Sequence, residues 1–196
     1  MSAPARHTVL RLAEVETADG PDGLRWSPLR RLLGVGAFGV NAYTADAGAR
    51  LVEEHDETTY SAGGHEELYL VVGGHATFLL DGGEVDAPAG TQVFVRDVSV
   101  RRGALAVADG TTVLAVGGAP GEAYRPGAWE WSFAAGPLAA KGDFEGAAGL
   151  LQEGLEEHPG DASLTYNLTC YRSLAGRHDE AVALLRSIAA DPLVTG

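Results

Sequence analysis

One cysteine, Cys170, is all that this chain of 196 residues contains. An internal disulfide and a thiolate metal cluster are therefore both excluded, and Cys170 reads as a small buried helix residue. Positive charge is also scarce. Fourteen Lys and Arg face 27 Asp and Glu, a net charge of −13. So acidic a chain repels phosphate backbones, which excludes general nucleic-acid binding. No apolar run approaches the roughly 20 residues that span a bilayer. The opening "MSAPARHTVLRLAEVE" has no apolar signal core. The expectation is a cytoplasmic protein without a membrane partner. A nucleophile elbow is missing, and "GVGAFG" (34–39) lacks the spacing and context of a phosphate loop.

What is present is the balance of a globular protein, 45% apolar and 21% charged. Of its 27 glycines, 19 crowd into residues 20–127 and suggest many short turns. Between them lie brief β-branched or aromatic runs: "LLGVGAFGVNAYTA", "EELYLVV", "HATFLLDGG", "TQVFVRD" and "TTVLAVGG". Short strands at regular spacing predict an all-β sandwich or barrel. "RPGAW" (125–129) ends this pattern. Alanine, leucine and glutamate then take over with a helical period. The predicted division is 1–127 for the strands and 128–196 for the helices.

The helical part repeats itself. Gly142 falls on Gly176, Asp143 on Arg177, Ala147 on Ala181 and Leu151 on Leu185. The common shift, with Gly at the turn, small residues where two helices cross and Pro159 after the second helix, resembles the tetratricopeptide repeat. Trp131 stands where that pattern has its Trp. Pro137 would lie inside the first helix and is expected to kink it, Thr165 replaces the second Trp, and Pro192 comes one residue early. Two such units leave apolar groups in "LLRSIAADPLV" without a third repeat to cover them. The expectation is a homodimer, or docking of 128–193 on the strand domain, with the repeats as a packing or partner-binding surface.

The stretch "GGHEELYLVVGG" (63–74), taken with "GGEVDAPAGTQVFVRDVSVRRG" (82–103), resembles the cupin superfamily. Glu67 and Gly74 keep the spacing that ends its first motif; Gly82, Pro88 and Gly90 keep the spacing that opens its second. The resemblance covers about residues 30–120. It implies an all-β double-stranded barrel, cupin-like, with one pocket, followed by the C-terminal helical hairpins.

The resemblance fails at the metal ligands. "SAGG" stands where a His-x-His pair belongs, and Arg101 stands where the second motif has its ligating His, eleven residues after Gly90. A guanidinium about 5 Å from a divalent ion costs roughly 7 kcal/mol at an effective dielectric of 20. The preferred reading is a metal-free pocket with no cofactor. Strand alternation is expected to aim Arg101 inward, to pair with Glu67 or Glu54 or to hold an anionic ligand bidentately. His65 and Tyr69 share the face of Glu67 and join the predicted ligand site. The alternative is one divalent metal on His55, His65 and Glu67, serving an enzyme of dioxygenase, isomerase or cyclase type. The acid run "EEHDE" (53–57) reads as a solvated loop end. Two function classes thus stay open: a binding module for a small, possibly anionic molecule, and a metal-dependent enzyme.

Overall fold

The computed structural model describes residues 7–58 and 64–189. Among the described residues ten strands are followed by four helices. In chain order the strands are β1 (Ala18–Asp19), β2 (Arg25–Ser27), β3 (Gly39–Ala45), β4 (Arg50–His55), β5 (Glu66–Gly73), β6 (His75–Leu80), β7 (Gly83–Pro88), β8 (Gln92–Val95), β9 (Arg102–Ala106) and β10 (Thr111–Gly118). A short helix, α1 (Leu29–Leu33), lies between β2 and β3. One antiparallel sheet has the order β1-β2-β3-β10-β5-β8, the other β4-β9-β6-β7. Their inner faces share one core, in which Val71, Val93 and Val113 of the first sheet meet Leu51, Phe78 and Ala104 of the second. The outer face of β3 and β10 packs Val40, Ala42, Leu114 and Val116 against Leu29 and Leu33 of α1.

The strands form where β-branched and aromatic residues alternate with polar ones, and they stop at glycines in the left-handed region. Gly74 is one such stop. At φ 74° it turns β5 into β6, and a Cβ there would sit 2.6 Å from Thr111 Cα. Only glycine fits that approach. The turns at Gly82 and Gly90, also at positive φ but in open space, join β6 to β7 and β7 to β8.

Residues 126–189 form a second compact unit. Its helices are α2 (Ala128–Ala140), α3 (Phe144–Glu157), α4 (Ala162–Leu174) and α5 (His178–Ala189). Asp143 and Asp161 cap α3 and α4 by accepting from Gly146 N–H and Leu164 N–H. Pro137 lies inside α2 without ending it; the helix runs on to Ala140. The core of this unit is Trp131, Ala135, Ala147, Leu151, Leu164 and Leu168. Gly154 lets Trp131 close in, since a Cβ there would meet the indole at 2.7 Å. Among the described residues no helix is long and apolar enough to cross a membrane. Pro192 and the rest of the chain's last residues lie outside the described residues.

Candidate functional site

Four polar side chains meet between the two sheets at one end. His55 is the last residue of β4, and in the β4–β9 pairing it lies opposite Arg102, the first residue of β9. Glu67 comes from the other sheet, on β5, opposite Gly117 of β10 and Val95 of β8. Glu57 follows β4, tied down by its own N–H, which donates to Val98 C=O at 2.8 Å.

Arg102 is fully buried. Its Nη1 donates to Val100 C=O at 3.0 Å and to Val98 C=O at 3.4 Å, so the turn before β9 holds it from behind. Its Nε lies 3.2 Å from Glu67 Oε2, at an angle that makes an ion pair but not a hydrogen bond. Nη2 has no hydrogen-bond partner among the described residues. Glu67 Oε2 accepts from the Tyr69 hydroxyl at 2.5 Å and stands 3.7 Å from His55 Nε2. His55 Nε2 is also 3.4 Å from Glu57 Oε1. The other imidazole nitrogen, Nδ1, lies 2.7 Å from Glu53 C=O. A carbonyl only accepts, so Nδ1 carries the proton. The Nε2 edge therefore faces two carboxylates.

Burial alone would draw the His55 pKa down, but Glu57, Glu67 and the Glu53 carbonyl overrule it and push the value up to about 10. Burial would lift Glu67 in turn, yet His55, Tyr69 and Arg102 hold its carboxyl below the usual range. Burial and the Glu67 charge push the Tyr69 phenol well above its ordinary value. His55 and Arg102 are thus interleaved with the Glu57 and Glu67 side chains.

Arg101 is elsewhere. Its side chain is 58% exposed, and Nε donates to the equally solvated Glu54 at 2.8 Å. The expectation that it points inward is corrected, for a local reason. Arg101 N–H donates to Asp81 Oδ1 and Arg101 C=O accepts from Asp81 N–H, both at 2.9 Å. That clamp holds Arg101 as the last residue of the turn. The inward series of β9 is Arg102, Ala104 and Ala106, and one residue of offset exchanges faces. Arg102 thus occupies the place beside Glu67 that the motif spacing assigned to its neighbour.

Of the other expected site residues, Glu67 and Tyr69 lie together as described. His65 is buried beside them: its backbone N–H donates to Glu57 Oε2 at 3.2 Å, and its ring stacks on Tyr124 with centroids 5.2 Å apart. The alternative ligand set His55, His65 and Glu67 is not the one gathered. The atoms within 4.8 Å of one another are on His55, Glu57 and Glu67. Glu57 was concealed in the acid run, where Glu53 and Glu54 are solvated and Glu57 is only 5% exposed.

Tyr124 covers this end of the sheets. A Cβ on Gly39 would meet its hydroxyl at 2.7 Å, and the Arg30 guanidinium lies 5.7 Å from its ring centroid.

No family model matches the chain, and neither does any curated protein. Several of the solved structures similar to it are cupins. An RmlC-like cupin from Desulfovibrio desulfuricans is 25% identical over 42% of this chain and 73% of its own, with a TM-score of 0.37. A sugar phosphate isomerase of the cupin superfamily from Silicibacter pomeroyi is 21% identical over 56% of this chain and 74% of its own, at 0.48. A cupin from Bacteroides fragilis is 18% identical over 62% and 93%, at 0.47.

Proposed function

We propose that the strand unit is a cupin-like binding module for a small organic anion, built around a metal site whose ligands have been replaced. The observation that carries this reading is Arg102 Nη2, a buried guanidinium donor with no partner among the described residues. An unmet donor of this kind costs about 1–3 kcal/mol or more, and it calls for an acceptor that the described residues do not provide. A carboxylate or phosphate oxygen is the natural one. Glu67, Tyr69, His65 and His55 would line the same space.

A second reading has its own support. His55 Nε2 and the Glu57 and Glu67 carboxylates could hold one divalent ion, and the Nδ1 contact to Glu53 C=O orients His55 as metal-bound imidazoles are oriented. Such an ion would supply Lewis-acid chemistry. Two facts weigh against it. His55 would have to lose a proton that the carboxylates hold up to about pH 10. An ion on Glu67 Oε2 would also lie close to the Arg102 guanidinium, whose Nε is 3.2 Å from that oxygen. At a separation of about 5 Å the repulsion is roughly 7 kcal/mol, as above. Elemental analysis of full-length protein purified without added metal separates the readings. Substoichiometric iron, zinc, manganese and nickel is the expected result; near-unity occupancy that His55→Ala or Glu57→Ala removes would establish the metal centre instead.

The four helices are proposed to be two tetratricopeptide-like hairpins that serve packing or a protein partner. Their support is the internal repeat that sets Gly142 on Gly176, both at φ 81° in the hairpin turns. The protein is also proposed to pair with a second copy through the outer face of β5 and β8, where Val72 and Phe94 stand exposed. A monomer in equilibrium sedimentation at micromolar concentration would refute the pairing. A cytoplasmic location belongs to the same proposal.

A further inference from the structure

A second orphan atom lies on the inner face of the first sheet. Asn41 lies on β3 in register with Ala115 of β10, which is in register with Tyr69 of β5. Along β3, Tyr43 and Ala45 belong to the core between the sheets, and Val40 and Ala42 to the cluster outside. Alternation therefore turns Asn41 inward. It is 5% exposed, and its Oδ1 has no hydrogen-bond partner among the described residues.

The inner row runs Asn41, Ala115, Tyr69, and the next row toward the Tyr124 end runs Gly39, Gly117, Glu67. Asn41 on one side and Tyr69 and Glu67 on the other, about 10 Å apart by strand spacing, thus flank the methyl of Ala115 and Gly117, while the Tyr124 hydroxyl lies over Gly39. Arg102 reaches in from the facing sheet. A packed apolar core needs neither an unmet amide oxygen nor an unmet guanidinium N–H here, since each is expensive without a partner.

The two orphans ask for different things. Arg102 Nη2 needs an acceptor, and an anionic one suits it best. Asn41 Oδ1 needs a donor, and with the amide flipped the same position would be a donor that needs an acceptor. A hydroxyl both donates and accepts, so it satisfies the amide in either orientation. An ammonium would serve one end alone and would meet the Arg102 charge.

We propose that the ligand is a small hydroxylated carboxylic acid, with its carboxylate on Arg102 and a hydroxyl on Asn41. This rests on the reading of Arg102 as the ligand anchor and adds Asn41 as the residue that selects for the hydroxyl. The test is calorimetric titration of full-length wild type, Asn41→Leu and Asn41→Ser with matched acids: malate against succinate, and lactate against propionate. The wild type should prefer one or both hydroxy acids by about tenfold, the difference that one good hydrogen bond makes. Asn41→Leu should bring the ratio of hydroxy-acid to plain-acid affinity close to one, and Asn41→Ser should restore part of the preference. If the wild type binds the members of each pair equally, or if Asn41→Leu leaves the preference intact, the Asn41 assignment is overturned and the Arg102 anchor stands. If no acid of either kind binds, both are overturned.

Discussion

Replacing Arg102 by Ala is expected to lower the unfolding free energy by about 3–5 kcal/mol, whereas Arg101→Ala should change it by about 1 kcal/mol or less. The two residues are neighbours of the same type in opposite environments. Arg102 is fully buried beside Glu67, and removing it leaves a buried carboxylate with His55 as its remaining cation. It also strips two carbonyls, of Val98 and Val100, of a donor. Arg101 forms one solvated pair with Glu54, which competes with water for both partners. Urea unfolding of the full-length variants gives the comparison. The paired variant Arg102→Met/Glu67→Gln should recover part of the loss, because it removes the uncompensated charge along with its partner. Equal effects at positions 101 and 102 would mean that the inward residue has been misassigned.

A pH dependence with two flanks is the second expectation. His55 is raised from an ordinary 6.5 to about 10 in the folded chain. A raised imidazole stabilises fully below its unfolded pKa, so this contribution is complete below about pH 6.5 and fades as the pH rises toward 10. Glu67 is lowered, so its contribution is present above the unfolded carboxylate range and is lost as the pH falls through it. The two together place the site's greatest contribution between about pH 4.5 and 6.5. The His55 side chain is 35% exposed, so solvent screens its pairs. The alkaline loss is therefore about 2 kcal/mol rather than the value the full shift would give. Melting temperatures between about pH 5 and 10 should fall more steeply for the wild type than for His55→Gln. Parallel curves would remove His55 from the charge network.

These effects show where the sequence was legible. The strand runs, the glycine turns at 74, 82 and 90 and the helical tail could be read from period and turn chemistry, and so could the common face of Glu67 and Tyr69, two residues apart on one strand. The identity of the inward arginine could not. It depends on whether the turn after β8 holds one residue more, which the Asp81 clamp on Arg101 decides, and Asp81 is 20 residues away in the chain. Glu57 was hidden because an acid run at a strand end looks solvated, and the Val98 and His65 backbone contacts together with His55 draw it inside. Asn41 did leave a trace. In "GVNAYTA" it shares the alternating set of Tyr43 and Ala45, a polar residue on an otherwise core-facing series.

The measurement closest to the central claim is a thermal-shift comparison of wild type and Arg102→Lys, with metal content assayed, against small carboxylic acids, phosphate and sulfate. A ligand at about 100 times its dissociation constant stabilises by about 2.7 kcal/mol, which moves a melting point by several degrees. Lysine keeps the charge but loses the planar fork that presents Nη2. The account predicts that at least one anion raises the melting temperature of metal-free wild type and does so far less for Arg102→Lys. No shift with any anion, or an equal shift in both proteins, would contradict it.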